Sequence, residues 1–474
     1  MVRKFGFVRW ARAMALVLAS LVLVSPIVSQ ERTDASLASE LDAYVRGMVS
    51  SGTFTGTVLA ARGGRILLCK GYGMADRERG IRNDIRTRYR LGSVSKNFTA
   101  AAVLLLQERG ALSIDDPISR YLPGLFEGKG ITIRHLLTHT SGLPDYILFP
   151  GAFEAFAEAT DPDALLASIA APDLEFEPGT KFRYSNSGYV VLGRIVEVVS
   201  GMEYEDFLGT ELFRPAGMSD AGCDYEEGLA AGDVAVGYHY TGEDYVPVPR
   251  WDSSWAAGAG AVCASAVDLY SWSRALARGR ILSDRSRDLL FGPTPQSRNA
   301  YGMGWYLRPN DCRARTYHGG YVFGFRSDFT RYPGEEADII VLSNVDQAPT
   351  RRMAEDLAAI LFGIPHDSPE FRVPASLPSS GLKNFEGVYD TSEIFGDGAS
   401  MQVWTEGPRI WYRGNTVYDS LGLPMHIYPL EGGGFFDKTG DVKYEFIPGP
   451  DGAAEAVVVS DAYESYRFPR IPSR

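Results

Sequence analysis

Apolar residues recur every three to four positions between Ala35 and Val49, placing Leu37, Leu41, Tyr44 and Val45 on one side. That period predicts an amphipathic helix. The pattern then shortens. Thr55-Gly56-Thr57-Val58-Leu59-Ala60-Ala61 and Ile66-Leu67-Leu68-Cys69-Lys70 are β-rich runs separated by Arg62-Gly63-Gly64-Arg65, a hairpin signal. Asn97 to Arg109 is rich in alanine and leucine and stops at Gly110, which predicts a second helix. A long mixed region follows, with another helix over Val190–Val199. Strand-like segments return at Tyr301–Leu307, Thr316–Thr330 and Ala337–Ser343, and a helix from Thr350 to Leu361 closes this part. Strands early and late with most helices between them suit an α+β unit whose first and last strands are sheet neighbours.

Pro365, Pro369, Pro374 and Pro378 mark a linker over residues 366–380. Beyond it the rhythm changes to short strands between glycine-rich turns: Phe385–Tyr389, Met401–Trp404, Arg409–Tyr412, Lys443–Ile447 and Ala456–Ser460. These predict a small all-β, barrel-like domain over 381–474, after a larger domain over 30–365. The length of 474 residues agrees with two domains.

Residues 1–29 read as a secretory signal: Arg3, Lys4, Arg9 and Arg12 lead an uncharged run from Ala13 to Ser29 that ends in small residues. The expected destination is secreted or periplasmic. A retained N-terminal membrane anchor is the alternative, but the run is short and Pro26 interrupts it, so no stable span is expected once the signal is cleaved. Loss of the signal's four cations moves the net charge from −12 to −16, which argues against nucleic acid as a partner. Cys69, Cys223, Cys263 and Cys312 are far apart with no C-x-x-C pair, and suggest buried thiols rather than a disulfide framework or a zinc site. A bridge in an oxidising compartment stays open.

The strongest chemical signal is Ser93-Val94-Ser95-Lys96 at the start of the second helix. Residues three apart on a helix share a face, so the hydroxyl and the amine can meet without help from the rest of the fold. A serine hydroxyl needs a base to become a nucleophile, and burial makes a lysine amine such a base. The spacing alone is not decisive: Ser380-Gly381-Leu382-Lys383 repeats it inside the linker, with no helix behind it. Two further segments supply what a nucleophilic serine needs. Tyr184-Ser185-Asn186 precedes a helix and offers a phenol to relay protons and an amide to orient the lysine. Tyr317-His318-Gly319-Gly320-Tyr321 puts an imidazole on a strand followed by glycines that admit a substrate backbone. His318 could donate to the tyrosine oxygen or to a substrate carboxylate.

Together, Ser93-x-x-Lys96, Tyr184-Ser185-Asn186 and His318-Gly319-Gly320 resemble the three motifs of the serine β-lactamase and penicillin-binding family. The similarity is greatest to class C β-lactamases, D-alanyl-D-alanine carboxypeptidases, D-aminopeptidases and related esterases. Leu112–Pro123, Ile133–Leu143, Pro215–Met218 and Tyr301–Trp305 carry the same resemblance, which covers about residues 35 to 365. The last domain resembles the lipocalin-like barrel appended to such enzymes. The resemblance implies an antiparallel sheet with a helical region, and a serine hydrolase that forms an acyl-enzyme on small amides, peptides or esters. Ser93 would be the nucleophile, Lys96 the base and Tyr184 the proton shuttle. Asn186, His318, Gly319 and Gly320 would bind or orient the substrate, and the backbone N–H groups of Ser93 and Tyr321 would form the oxyanion hole. Cell-wall peptide is among the candidate substrates, and neither metal nor cofactor is expected. A β-lactamase, and a slow-turnover penicillin-binding sensor or scaffold, are the alternatives.

Two features compete with this assignment. Lys438-Thr439-Gly440 matches the third β-lactamase motif literally but lies beyond the linker in a glycine-rich turn, so His318 is preferred. His135 and His139, four apart, mimic a metal pair without the adjoining glutamate. No G-x-S-x-G occurs, which removes the nucleophile elbow of α/β-hydrolases. Histidine and glycine stand at 318 and 319 where β-lactamases carry lysine and a hydroxyl residue, which weighs against efficient β-lactam hydrolysis. Tyr321 puts a bulky side chain at the cleft edge.

Overall fold

The computed structural model describes residues 33–223, 234–249, 251–297, 300–366, 375, 381–395, 398–414, 423–431, 433–437, 442–460 and 465–472. The expected secretory signal, most of the expected linker with Ser380, and Lys438-Thr439-Gly440 lie outside the described residues.

The chain opens with helix α1 (Asp34–Ser50), capped by the Thr33 hydroxyl accepting from the Ser36 N–H at 3.1 Å. Strands β1 (Gly56–Arg62) and β2 (Arg65–Tyr72) form the expected hairpin. Helices α2 (Lys96–Glu108) and α3 (Asn186–Ser200) follow, then a small hairpin of β3 (Tyr238–Tyr240) and β4 (Tyr245–Pro247), and helix α4 (Ala266–Ala277). Strands β5 (Thr316–Val322), β6 (Phe325–Tyr332) and β7 (Ala337–Ser343) and helix α5 (Thr350–Phe362) complete this part. The main sheet is antiparallel in the order β5-β6-β7-β1-β2. The first strand therefore pairs with the last, with Val58 opposite Val341.

Side chains alternate across a strand, and here both faces are apolar. Val58, Ala60, Ile339 and Val341 pack against Leu41 and Val45 of α1 and Met353 and Leu357 of α5. Leu59, Ala61, Ile340 and Leu342 face the other way, into a larger core with Phe98 of α2, Leu192 of α3 and Trp272 of α4. Each fully buried Leu, Ile or Phe contributes about 1.5–3 kcal/mol. The sheet is thus clamped between two helical layers, and α2, which carries the serine motif, lies deep in the larger core.

Tyr301–Leu307 is not the expected strand. It is a bent segment with isolated bridges from Tyr306 to Tyr301 and Tyr317. Gly304 adopts φ +75°, and a Cβ there would sit 2.6 Å from the Lys96 carbonyl. The segment is folded tightly over the first turn of α2, which an extended run cannot do.

The C-terminal part is an eight-stranded antiparallel sheet: β8 (Gly387–Asp390), β9 (Ser400–Glu406), β10 (Arg409–Gly414), β11 (Met425–Pro429), β12 (Phe435–Phe436), β13 (Lys443–Pro448), β14 (Ala454–Ser460) and β15 (Ser465–Pro469). Each strand pairs with the next, and a bridge between Tyr389 and Arg470 brings the ends together into a nearly closed barrel. Tyr389, Val403, Ile410, Ile427, Val457 and Phe468 fill it. β11, β12 and β15 were not expected from sequence. The barrel grips the turn between β3 and β4. The His426 N–H donates to Thr241 O at 2.9 Å, the Tyr428 hydroxyl to Gly242 O at 2.6 Å, and Arg409 pairs with Glu243 at 3.1 Å.

Cys223 and Cys263 are buried, Cys69 is half-buried and Cys312 is exposed. Among the described residues no helix is long and apolar enough to cross a membrane.

Candidate active site

Ser93 lies on a 3-10 turn, Gly92–Ser95, that feeds directly into α2, and Lys96 is the first residue of that helix. The turn is pinned by the Ser95 hydroxyl accepting from the Val262 N–H at 3.0 Å. Ser93 is half-exposed to a cleft, whereas Lys96 is fully buried. The Lys96 Nζ makes three hydrogen bonds: to Ser93 Oγ at 3.0 Å, Asn186 Oδ1 at 2.8 Å and Ala259 O at 2.8 Å. The last two partners only accept, while a hydroxyl can donate or accept. A neutral amine, with two hydrogens and one lone pair, satisfies both carbonyls and still receives the serine proton. The protonated amine satisfies all three as a donor. The arrangement therefore fits both ends of a proton transfer between Ser93 and Lys96. Burial brings the Lys96 pKa down to about 7, against the opposing pull of Asp145.

Asn186 begins α3, and the lysine and a carboxylate on either side fix its amide orientation. Its Oδ1 accepts from Lys96, and its Nδ2 donates to Asp145 Oδ2 at 2.9 Å. Asp145 is a site residue that the sequence did not single out. Burial raises its pKa, while hydrogen bonds from Asn186 and the Lys96 charge pull the other way. Because the Asp145 charge favours the ammonium form of Lys96, Asp145→Asn is expected to lower the lysine pKa further. The acid limb of the pH–kcat/KM profile should then move to lower pH; a move to higher pH would show that Asp145 does not act on the lysine through charge.

Tyr184 lines the same cleft. Burial pushes its phenol well above the usual value, and a hydrogen bond with Ser93 opposes the shift. The phenol is therefore a proton donor at neutral pH. Its ring stacks on His139, with centroids 4.3 Å apart at 31°, and meets Tyr301 edge-on at 6.3 Å. His139 is buried and neutral, its pKa lowered by burial and then by Lys96, and its Nδ1 accepts the Ser185 N–H at 3.2 Å. His135, four residues earlier, turns its Nδ1 to the Thr132 N–H at 3.3 Å. His139 is a second site residue whose position the sequence did not disclose.

His318 differs from expectation. It is buried on β5, and burial followed by Lys96 lowers its pKa to about 3. Its Nδ1–H donates to Gly319 O at 2.6 Å, and its Nε2 accepts from the Tyr301 hydroxyl at 3.2 Å. Both ring nitrogens are used, so this neutral imidazole donates neither to Tyr184 nor into the cleft. Gly320 also has a different task. A Cβ there would lie 1.9 Å from Leu91 O, so glycine lets β5 lie against the serine turn. Gly319 supplies the carbonyl that holds His318.

The register of β5 turns Tyr321 toward that turn. β5 is the sheet's edge, and the two-residue turn Phe323-Gly324 makes Val322 and Phe325 the hydrogen-bonded pair. Every second residue before Val322 then points its backbone N–H inward, and the alternate ones, Tyr321 included, point outward. Tyr317 shows the same parity, donating outward to Tyr306 O at 2.9 Å. A Cβ on Gly92 would lie 2.8 Å from the Tyr321 nitrogen, so that N–H adjoins the residue before Ser93.

Ser93, Lys96, Tyr184 and Asn186 thus converge, Tyr321 borders them, and His318 stands behind Tyr184. Residues 41–362 match the Beta-lactamase family model. The chain belongs to the β-lactamase family. It is 34% identical over 434 residues to a penicillin-binding protein of Bacillus subtilis (strain 168), covering 87% of this chain and 94% of that relative. Its fold is shared with the octameric penicillin-binding protein homologue from Pyrococcus abyssi, at 24% identity and a TM-score of 0.62, over 91% of this chain and 99% of the other. A D-stereospecific amidohydrolase from Streptomyces sp. is similar at 25% identity and a TM-score of 0.59, over 69% of this chain and 99% of that one. The β-lactamase family to which the chain belongs therefore includes penicillin-binding proteins and has hydrolases among its structural neighbours.

Proposed function

We propose that this protein is a serine hydrolase that acts through an acyl-enzyme on small amide, peptide or ester substrates and, with residues 1–29 as a secretory signal, works outside the cytoplasm. The observation that carries the reading is the Lys96 amine, buried and held between the Ser93 hydroxyl and two carbonyl oxygens. Lys96 takes the Ser93 proton as Oγ attacks the substrate carbonyl. The negative charge on the carbonyl oxygen faces the N–H groups of Ser93 and Tyr321. As the tetrahedral centre collapses, the bond to the leaving group breaks and the Tyr184 phenol protonates that group. The proton held by Lys96 replaces the one Tyr184 gave, so both side chains return to their starting states. Water then hydrolyses the Ser93 ester by the same groups in reverse order.

The 34% identical relative is a penicillin-binding protein, which favours a second reading in which penicillin acylates Ser93 and is released slowly. One experiment addresses both. The protein is mixed with a fluorescent penicillin or with a p-nitrophenyl ester, quenched in acid and mapped by peptide mass spectrometry. An adduct on the Ser93 peptide is expected, lost in Ser93→Ala. A short-lived ester adduct supports the hydrolase, and a lasting penicillin adduct alone supports the second reading. Ester hydrolysis at the parental rate in Ser93→Ala would overturn both.

A further inference from the structure

The cavity beside Ser93 has a volume of about 170 Å³, the space of one aromatic ring. Beyond the polar residues already described, Tyr146, Ile147, Phe156, Trp251, Val322 and Phe323 form its wall. They come from distant segments and pack as one box. Phe156 lies 6.3 Å from Tyr146, 5.9 Å from Trp251 and 6.4 Å from Phe323, and Trp251 lies 6.0 Å from Phe323. Two polar tips nearby are engaged elsewhere: the Tyr146 hydroxyl donates to Trp255 O, and the Trp255 indole N–H donates to Glu158 O at 2.8 Å; the buried Trp251 indole N–H has no hydrogen-bond partner among the described residues.

No charged side chain is among the described residues that line this cavity. Arg326 stacks on the Tyr321 ring at 4.2 Å and gives its Nε–H to Asp346 O at 2.5 Å. His318 is neutral and tied to Tyr301. The Asp145 carboxylate accepts from Asn186. A substrate carboxylate or ammonium placed in the box would lose its water and meet no charged side chain in the wall.

The box and Tyr184 belong to separate groups of rings. Tyr184 packs with His139, Tyr301 and His318, and among the described residues none of these packs on Tyr146, Phe156, Trp251 or Phe323. A leaving group that takes its proton from Tyr184 departs on the Tyr184 flank, which leaves the box to the acyl side. Val322 and Phe323 follow Tyr321 directly, so the box begins where the substrate carbonyl would be held.

On the basis of the serine acyl-transfer reading, we infer that the site takes esters or amides of uncharged aryl-substituted carboxylic acids, with the aryl group in the box, and discriminates against acyl groups that carry a carboxylate or an ammonium. The test measures kcat/KM of the full chain for the p-nitrophenyl esters of phenylacetic acid, acetic acid, succinic acid (monoester) and D-phenylalanine. The shared leaving group isolates the acyl side. The phenylacetyl ester should exceed the acetyl ester by about ten- to hundredfold, and the two charged esters by at least as much. Ile147→Trp, which fills the cavity from its half-buried rim, should lower the phenylacetyl-to-acetyl ratio by about tenfold or more. Phe156→Leu, which removes the central ring but keeps an apolar side chain, should lower it in the same direction. Equal phenylacetyl and acetyl rates, or a faster charged ester, would overturn the inference while Ser93 still acylates. No adduct on Ser93 with any of the four esters would instead overturn the serine reading beneath it.

Discussion

Lys96→Arg should abolish measurable ester hydrolysis, lowering kcat/KM by about 10³-fold or more. Arginine keeps the positive charge near Ser93 but does not give up its proton in a protein. If Lys96 acted only as a fixed charge, the replacement would retain much of the activity. As a base it must become neutral, and burial to a pKa of about 7 makes that form abundant at neutral pH. Lys96→Ala should be as inactive, for an additional reason. It leaves Asn186 Oδ1 and Ala259 O, which both accept from Nζ, without a donor. A buried polar group without its partner costs about 1–3 kcal/mol, so this variant should also unfold at lower temperature. Thermal unfolding measured alongside kcat/KM separates the two effects, and the arginine variant carries the chemical argument.

Tyr184→Phe should show a loss that depends on the leaving group. The variant keeps the ring stacked on His139 and removes only the hydroxyl. Its phenol is held protonated by burial, so its contribution is a proton given to the departing group. p-Nitrophenolate leaves without one, and its ester should lose only a few-fold in kcat/KM. Alkyl esters and amides need the proton and should lose about 10²- to 10⁴-fold, the usual worth of general acid catalysis. Equal losses for both classes would mean that Tyr184 serves the attack on the carbonyl rather than the departure.

Much of this arrangement is local and could be read from the chain. Ser93 and Lys96 meet because three residues separate them at a helix start, and no distant contact is needed. The Leu37, Leu41, Tyr44 and Val45 period marks α1, and the glycines between Arg62 and Arg65 mark the first hairpin. What escaped depends on long-range packing. Asp145 reaches the site only because Asn186, 41 residues later, turns its amide toward it. His139 lies under Tyr184 in a left-handed backbone conformation, φ +56°, that no periodicity announces. His318 was expected to face the cleft, but Tyr301, from the bent segment over α2, takes its Nε2. The aromatic box is assembled from segments near residues 146, 156, 251 and 323, none of which carries a motif alone. In the barrel, β12 spans only two residues, too few to show an alternation.

The reaction assigned to Ser93 depends on an amine that loses its proton near neutrality. The most direct measurement is the pH dependence, from 5 to 9, of single-turnover acylation of Ser93 by a p-nitrophenyl ester. The fraction of neutral Lys96 rises with pH, so acylation should climb through a midpoint near 7, the lysine pKa, and level off above it. A rate that is flat across this range, or still rising toward pH 10 as for an ordinary lysine, would contradict the assignment of Lys96 as the base.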